Sequence, residues 1–215
     1  MSDFSLSIFS SNHNNMLDSL NEAKEYNVTY LHFDVMDGKF VPMTGLSIHD
    51  LEYVIDYTSI PIDVHLMTYN LKETVREFSK FDLNSIAIHI GVESYNNTID
   101  ILKYIRSSGI KSSIAISPEN DILEIERYLG FIDEILIMTA RPGIKNSAFI
   151  EDSFENINKA SYILNNSNIT ISVDGALDID KAFKCINNGA GKVIMGRCFY
   201  NSTNKLDLVN SVINK

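Results

Sequence analysis

Cysteine, basic residues and long apolar runs are all scarce in this chain of 215 residues. Its two cysteines, Cys185 and Cys198, are too few for a disulfide framework and lack metal-ligand spacing, so we expect two reduced, packed thiols. Lysine and arginine number 18 against 28 acidic residues, and the net charge of −10 argues against a nucleic-acid partner. Any anion that the protein binds must therefore be held by a local arrangement of residues.

Signals for a membrane or for secretion are also missing. No apolar run reaches the roughly 18 residues that a membrane span requires, and the segment MSDFSLSIFS (1–10) lacks the positive start and long apolar core of a secretory signal. The sequence thus predicts a cytoplasmic protein that contacts no membrane. A hydrophobic content of 45% and a charged content of 21% are typical of a globular protein with a sizeable core.

Eight short apolar segments alternate with stretches of helical spacing along the chain. The predicted strands are 4–9, 30–35, 61–67, 85–90, 111–117, 134–139, 169–174 and 192–196, and the predicted helices include 16–26, 71–81, 98–108, 149–164 and 179–188. No linker or low-complexity tract divides these units. The pattern predicts the α/β class, as a single (β/α)8 TIM barrel domain over residues 1–215, with a doubly wound open sheet as the alternative.

Residues able to bind or react occur where these strands end, which is the catalytic face of barrel enzymes. They are Ser7, His32, Asp34, Asp63, His65, His89, Ser117, Met138, Thr139, Asp174 and Gly196. A single strand histidine such as His89 is usually a hydrogen-bonded core residue. Two histidines and two aspartates together match a divalent metal such as Zn²⁺, Fe²⁺, Mn²⁺ or Co²⁺, with a buried salt-bridged network as the alternative.

Five segments resemble the signature segments of the ribulose-phosphate 3-epimerase family, in order and spacing over nearly the whole chain. They are SLSIFSS (5–11), in which Leu6 replaces the usual proline, HFDVMDGKFVP (32–42), DVHLM (63–67), LIMTARPG (136–143) and VDGA (173–176). The resemblance implies a metal-dependent isomerase of the pentose phosphate pathway that inverts C3 of a ketose phosphate. Its expected reaction converts D-ribulose 5-phosphate to D-xylulose 5-phosphate.

The resemblance also implies roles for individual residues. One divalent metal would be held by His32, Asp34, His65 and Asp174. Asp34 and Asp174 would be the two acid/base groups on opposite faces of the substrate. Substrate contacts are implied for Ser7, His65, Met36, Met67 and Met138. The methionines would form a thioether cushion beneath the reacting carbons, for which simple core filling is the alternative.

The chemistry explains why a histidine and an aspartate alternate in HFD (32–34). Inverting C3 removes one proton beside the C2 carbonyl and returns another from the opposite side, through an enediolate. Two carboxylates supply a base and an acid, and a metal stabilises the negative charge that develops on O2. Asp37 follows directly in the next loop, where a turn role and a functional role are both open.

The substrate's phosphate is expected at the loops after the seventh and eighth strands. The candidates are Gly175, Ala176, Gly196 and Arg197, together with Gly143 in the loop after the sixth strand. Tight turns are the alternative for the glycines. That sixth loop reads PGIKNSAF (142–149), in which Lys145 to Ser147 replace the flexible part that is usual in the family, so its closure over the phosphate is in question.

Three other functions remain open. VDGA and VPMTGLS (41–47) resemble the allulose-6-phosphate 3-epimerases at least as well, so the length of the sugar is undecided. A lyase or decarboxylase of the hexulose-6-phosphate synthase or orotidine-phosphate decarboxylase type usually places a lysine on the third strand, where this chain has DVHLM. A barrel that binds a sugar phosphate without catalysis is the third. We expect a homo-oligomer whose partner is a small ketose phosphate.

Overall fold

Eight parallel strands close into a barrel in the computed structural model, which describes residues 1–11 and 16–215. The strands are β1 (Asp3–Ser7), β2 (Tyr30–Met36), β3 (Ile62–Met67), β4 (Ser85–His89), β5 (Lys111–Ile116), β6 (Glu134–Met138), β7 (Thr170–Asp174) and β8 (Lys192–Met195). Their order around the barrel is their order in the chain, and β1 pairs with both β2 and β8. The predicted barrel is confirmed, and the open sheet is excluded.

Helices follow the strands around the outside of the barrel. They are α1 (Met16–Glu25), α2 (Ile48–Tyr57), α3 (Leu71–Phe78), α4 (Tyr95–Ser107), α5 (Ser153–Ile163), α6 (Ile179–Asn187), α7 (Arg197–Asn201) and α8 (Lys205–Ile213). A 3-10 segment, Ile122–Tyr128, takes the place of a helix between β5 and β6. α5 starts four residues later than the sequence predicted, because the Ile150 N–H donates to the Thr139 carbonyl and ties the chain to the end of β6.

The main apolar core lies between the barrel wall and these helices. β3, β4 and β6 are buried along their full length, as expected for parallel strands covered on both faces. Alternate residues of β2 show the arrangement: Leu31 and Phe33 are fully buried in this core, and the Phe33 ring contacts Phe78 of α3. His32 and Asp34 therefore face the opposite way, into the barrel.

The interior of the barrel is layered, and its lowest layer is ionic. Lys192 Nζ lies 2.8 Å from Asp63 Oδ2 and 2.8 Å from Glu134 Oε2. These side chains start from β8, β3 and β6, which are not neighbours of one another, so they meet across the interior. Asp63 was expected at the catalytic end of the barrel, and that expectation is wrong. It is the second residue of β3, and its carboxylate accepts from Lys192 and Ser85 at the amino end.

An apolar layer lies above this ionic layer on β4, β5, β6 and β8, whereas His32 of β2 pairs in register with Asp63 itself. The apolar layer consists of Ala87, Ala115, Leu136 and Ile194, which form their own buried cluster with Met138. Burial raises the pKa of Glu134 despite the facing Lys192, whereas Glu134 and Asp63 together outweigh burial and raise the pKa of Lys192 above its ordinary value. The ammonium group is thus charged at neutral pH.

Replacing Lys192 by methionine should destabilise the fold by about 3–5 kcal/mol, because it leaves two buried carboxylates without their cation. Urea unfolding at pH 7 measures the loss. The matched control is Lys111→Met, since Lys111 also begins a strand of the barrel but is exposed. An equal effect of the two substitutions would contradict a structural role for the ionic layer.

Candidate metal centre and active site

Four side chains meet at the mouth of the barrel, at the carboxyl ends of the strands. One ligand atom from each of His32, Asp34, His65 and Asp174 lies within 4.8 Å of all the others. The strand geometry explains the cluster, because alternate residues of β2 share its inner face and Asp34 pairs in register with His65 of β3. Asp174 ends β7, on the far side of the barrel. The sequence predicted this group, and the structure brings all four together.

Asp34 lies at the centre of the cluster. Its Oδ1 is 3.2 Å from His32 Nε2 and 3.2 Å from His65 Nδ1, and its Oδ2 accepts a hydrogen bond of 3.1 Å from the Ser7 hydroxyl. His32 Nε2 is also 3.9 Å from Asp174 Oδ2. Asp34 and both histidines are buried, whereas the Asp174 side chain keeps 19% exposure at the mouth. The Asp174 carboxylate is therefore the member of the cluster that a ligand in the mouth reaches most easily.

The residues of the cluster fit a bound divalent metal. His32 Nε2 is buried and lies 3.2 Å from Asp34 Oδ1, but it makes no well-aligned hydrogen bond within the described residues, so it is available as a metal ligand. Two imidazole nitrogens and two carboxylate oxygens are ligands that Zn²⁺, Fe²⁺, Mn²⁺ and Co²⁺ share. The donor set is thus one that any of these four ions can use.

The two carboxylates of the cluster have opposite electrostatic environments. Burial, assisted by the charge of Asp34, raises the pKa of Asp174 to about 6. Burial acts on Asp34 in the same direction, but His32 and His65 outweigh it and hold the pKa of Asp34 well below its usual range. Groups with such separated pKa values suit a paired acid and base.

His89 has a specific partner in the cluster. Its Nε2 lies 2.9 Å from His65 Nε2, and its Nδ1 lies 3.0 Å from the hydroxyl of Ser117, which directly follows β5. Burial, and then the neighbouring His65, hold the pKa of His89 well below its ordinary value, so the ring stays neutral. The expectation of a hydrogen-bonded core histidine is confirmed. The sequence did not reveal that its partner is His65, one of the four residues of the candidate metal cluster.

A cleft of about 160 Å³ opens over the cluster, and methionines form part of its wall. Met36, Met67 and Met138 all line it, and each is less than 10% exposed. Met43, in the segment VPMTGLS, lines the cleft as well. The predicted methionine wall is thus present. Its role beneath the reacting carbons stays a prediction.

A second cleft of about 350 Å³ adjoins the first and contains the predicted phosphate residues Ala176, Gly196 and Arg197. Gly175 lines the first cleft, where its φ of +127° favours glycine, and a β-carbon added there would lie only 2.6 Å from the Ala140 backbone nitrogen. Ala176 has a φ of +52°, so it keeps a left-handed backbone that non-glycine residues seldom adopt.

Ser7 lines both clefts, as expected for a substrate contact, and Ser10 does so too. Sequence reasoning missed Ser10, although it lies three residues after Ser7 in SLSIFSS. The two hydroxyl oxygens are 3.5 Å apart. A β-carbon on Gly196 would come within 2.2 Å of Ser10 Oγ, so Gly196 is needed for the close approach of this hydroxyl.

The loop after β6 lines the first cleft. At Gly143, a β-carbon would come within 2.3 Å of the Val41 side chain, so the loop packs tightly on the segment that follows β2. At its other end, Arg197 Nη1 donates to Asn146 Oδ1 at 3.0 Å, and the Arg141 N–H donates to Ser147 Oγ. Asn146 therefore connects this loop to the segment after β8, whereas Ser147 closes the loop on itself.

Asp37 has the turn role that the sequence left open. Its Oδ1 accepts from the backbone N–H groups of Lys39 and Phe40, and its Oδ2 accepts from the N–H of Tyr69. These bonds shape the loop after β2 and connect it to the end of β3. Asp37 therefore supports the mouth of the barrel and is not among the lining residues of the two clefts.

Two other expectations concern groups outside the site. Both cysteines are free thiols, with Cys185 buried and Cys198 half-buried, as predicted. Among the helices of residues 1–11 and 16–215, none has the length and apolar character needed to cross a membrane.

Comparison with known proteins gives a consistent result for sequence and fold. The sequence model of the "Ribulose-phosphate 3 epimerase family" matches residues 3–200. A ribulose-phosphate 3-epimerase of Buchnera aphidicola is 30% identical over 208 residues, which cover 93% of this chain and 89% of the relative. One of Chlamydia muridarum is 31% identical over 197 residues, covering 90% and 84%.

Solved structures show the same architecture at low sequence identity. An orotidine 5'-phosphate decarboxylase from Pyrococcus horikoshii superposes with a TM-score of 0.69 at 14% identity, covering 98% of this chain and 97% of that one. A tryptophan synthase alpha-subunit from Pyrococcus furiosus has a TM-score of 0.68 at 12% identity, covering 100% and 98%. At these identities the likeness concerns the fold alone.

Proposed function

Because the chain belongs to the ribulose-phosphate 3-epimerase family, we propose that it inverts C3 of D-ribulose 5-phosphate to give D-xylulose 5-phosphate, as one barrel domain over residues 1–215. The observation that carries the proposal is the pair of carboxylates at the barrel mouth, Asp34 on β2 and Asp174 on β7. They come from strands on opposite sides of the barrel, with a methionine-lined cleft above them.

The two carboxylates supply the proton transfers of the reaction. One removes the C3 proton from one face of the substrate, and the other delivers a proton to the opposite face, so the roles exchange with the direction of the reaction. The separated pKa values of Asp34 and Asp174 support this division of labour. Ser7 would fix Asp34 through its hydrogen bond and contact the substrate from the edge of the cleft.

The family's dependence on a metal is reflected in the donor set of the cluster. His32, Asp34, His65 and Asp174 would hold one divalent ion, either Zn²⁺, Fe²⁺, Mn²⁺ or Co²⁺. When bound, this ion supplies positive charge that stabilises the negative charge developing on the substrate's O2. We also place the three methionines, Met36, Met67 and Met138, against the sugar, since they line the cleft above the cluster. The expected contact of His65 with the sugar lacks this support, because His65 is fully buried and lines neither cleft.

The phosphate would be bound where the second cleft meets the loop after β6. Gly143, Gly175, Ala176 and Gly196 support this position, because their backbone groups line the two clefts without side chains that would fill them. The guanidinium of Arg197 borders both clefts and adds a local positive charge to a protein whose net charge is −10. Such a charge suits a dianionic group.

The choice of sugar is tested by comparing two substrates. We expect kcat/KM for D-ribulose 5-phosphate to exceed that for D-allulose 6-phosphate by at least about tenfold, because one misplaced group costs about 1.4 kcal/mol in the transition state. Exchange of the C3 proton in D₂O, followed by NMR, and coupled kinetics with both sugars measure it. The reverse preference would reject the pentose and keep the epimerase. Turnover of neither sugar would reject the epimerase and favour a barrel that only binds sugar phosphates.

A lysine-dependent lyase or decarboxylase is disfavoured by the layered interior. Lys192 is buried inside the barrel, but it lies at the amino end and is paired with Asp63 and Glu134. An apolar layer lies above it on β4, β5, β6 and β8. A lysine in that position cannot reach a substrate in the cleft.

We further propose that the protein works as a homo-oligomer in the cytoplasm. Exposed aromatic rings at Tyr53, Tyr104 and Tyr162 support the oligomer, because tyrosine is enriched in surfaces that protein contacts cover. Light scattering coupled to size-exclusion chromatography gives the mass of the particle directly.

A further inference from the structure

A buried chain of hydrogen-bonding side chains runs from the cluster into the wall of the barrel. His65 Nδ1 lies 3.2 Å from Asp34 Oδ1, and the other ring nitrogen, Nε2, lies 2.9 Å from His89 Nε2. His89 Nδ1 in turn lies 3.0 Å from Ser117 Oγ. The chain thus links β2, β3 and β4 to the residue that follows β5, at the height of the site.

A neutral imidazole has one donor and one acceptor nitrogen. When both rings are neutral, the hydrogen bonds from Asp34 through His65 and His89 to Ser117 can therefore run in only two directions. In the first, His65 Nδ1–H donates to Asp34, His89 Nε2–H donates to His65, and the Ser117 hydroxyl donates to His89. In the second, His65 Nδ1 presents a lone pair, His65 Nε2–H donates to His89, and His89 Nδ1–H donates to Ser117. Each ring keeps one proton in both directions, so the net charge is unchanged.

We propose that His89 and Ser117 are positioning residues that hold His65 Nδ1 toward the metal, and that the chain changes direction when the metal binds. His65 Nε2 is taken by His89, so Nδ1 is the nitrogen left beside Asp34. Ser117 can end the chain in either direction, because a hydroxyl both donates and accepts. The inference rests on the proposed metal site, and it does not depend on the identity of the substrate.

The packing around His89 keeps competing water away from the hydrogen bonds that join His65, His89 and Ser117. His89 is 1% exposed, and the ring of Phe40 packs against it with 4.9 Å between centroids. On its edge His89 meets His65, since the two Nε2 atoms are 2.9 Å apart and the ring centroids are 5.0 Å apart with 29° between the ring planes. With the His89 ring buried and packed against Phe40, its two in-plane hydrogen bonds are the means by which His89 and Ser117 act on His65.

Nitrogen-15 NMR of the full chain with and without Zn²⁺ tests the change of direction. We expect the proton of His89 on Nε2 in the metal-free protein and on Nδ1 in the zinc-loaded protein. His49 is the internal reference, since it lies exposed on α2 away from the cluster and should not respond. The same tautomer of His89 in both states would overturn the proposed change of direction.

Zinc affinity, measured by competition with a chromogenic chelator, tests the positioning role. His89→Phe keeps a ring but leaves His65 Nε2–H without an acceptor, so the affinity should fall about 10–100-fold. His89→Gln supplies an amide oxygen and should recover most of it, and His49→Phe should have no effect. A His89→Phe protein with wild-type affinity would overturn the inference alone, whereas a wild-type protein that binds no zinc would overturn the proposed metal site as well.

Ser117 has a matched control on β5, the strand that it directly follows. Ser117→Ala removes the acceptor of His89 Nδ1–H in the zinc-loaded state, so zinc affinity should fall at least about threefold. Ser113 is fully buried on β5, and its hydroxyl makes no hydrogen bond within the described residues, so Ser113→Ala should leave the affinity unchanged. Equal affinities of the two variants would overturn the role of Ser117.

Discussion

Changing Asp174 to asparagine should lower the rate of epimerisation by at least about 10³-fold, because an amide can neither remove nor deliver the proton that the second face of C3 requires. The same loss is expected for Asp34→Asn, since each substitution deletes one of the two proton-transfer groups. The measurement is kcat for conversion of D-ribulose 5-phosphate in a coupled assay. Near-normal epimerisation by either variant would reject the two-carboxylate mechanism.

A partial reaction distinguishes the two aspartates. If Asp34 is the base for D-ribulose 5-phosphate, the Asp174→Asn protein should still exchange the C3 proton with D₂O while forming no product. Asp34→Asn should then show neither exchange nor product from that epimer. The control is Asp121→Asn, the same substitution at an exposed capping residue after β5, which should keep wild-type activity.

Removing the metal should abolish turnover, and Zn²⁺, Co²⁺, Mn²⁺ or Fe²⁺ should restore it. Stabilisation of developing charge by a metal contributes several kcal/mol, and each 1.4 kcal/mol is about tenfold in rate, so the loss should reach at least about 10³-fold. The test is activity after dialysis against a chelator, with the metal content determined on the same sample. Full turnover by rigorously metal-free protein would contradict a role for the cluster as a metal site.

Circular dichroism of the metal-free sample provides the control for folding. The barrel should stay folded, since the apolar core and the Lys192 ion pairs do not include the cluster. Loss of activity together with loss of the fold would mean that the metal acts on stability and not on the reaction.

Much of the site could be predicted from the sequence because strands impose a period of two on their side chains. That period placed His32 and Asp34 on one face, and the barrel fold then brought His65 and Asp174 to the same mouth. The period of two does not determine how far along the barrel axis each side chain lies. Asp63 shares its face with His65 but lies in the layer below, where Lys192 binds it.

Contacts between separate segments were beyond the sequence pattern. The pairing of His89 with His65 depends on the register of β3 and β4 and on ring orientations that no local pattern contains. The same holds for Arg197 at the start of α7, which contacts Asn146, a residue 51 positions earlier in the chain. Helix starts were misjudged where backbone hydrogen bonds to a strand end, such as that of Ile150, compete with the helix.

The apolar layer across the barrel interior has a consequence for how this protein can change over time. Ala87, Ala115, Leu136 and Ile194 lie above the carboxylates that bind Lys192, and the mouth meets this lower layer at His32, which pairs in register with Asp63. Because interactions between groups without shared contacts are close to additive, substitutions in the mouth at positions other than His32 should seldom need compensation below. The residues in the lower half of the interior can thus stay unchanged while residues in the upper half are substituted to fit another sugar. A new substrate specificity can then arise by one substitution at a time.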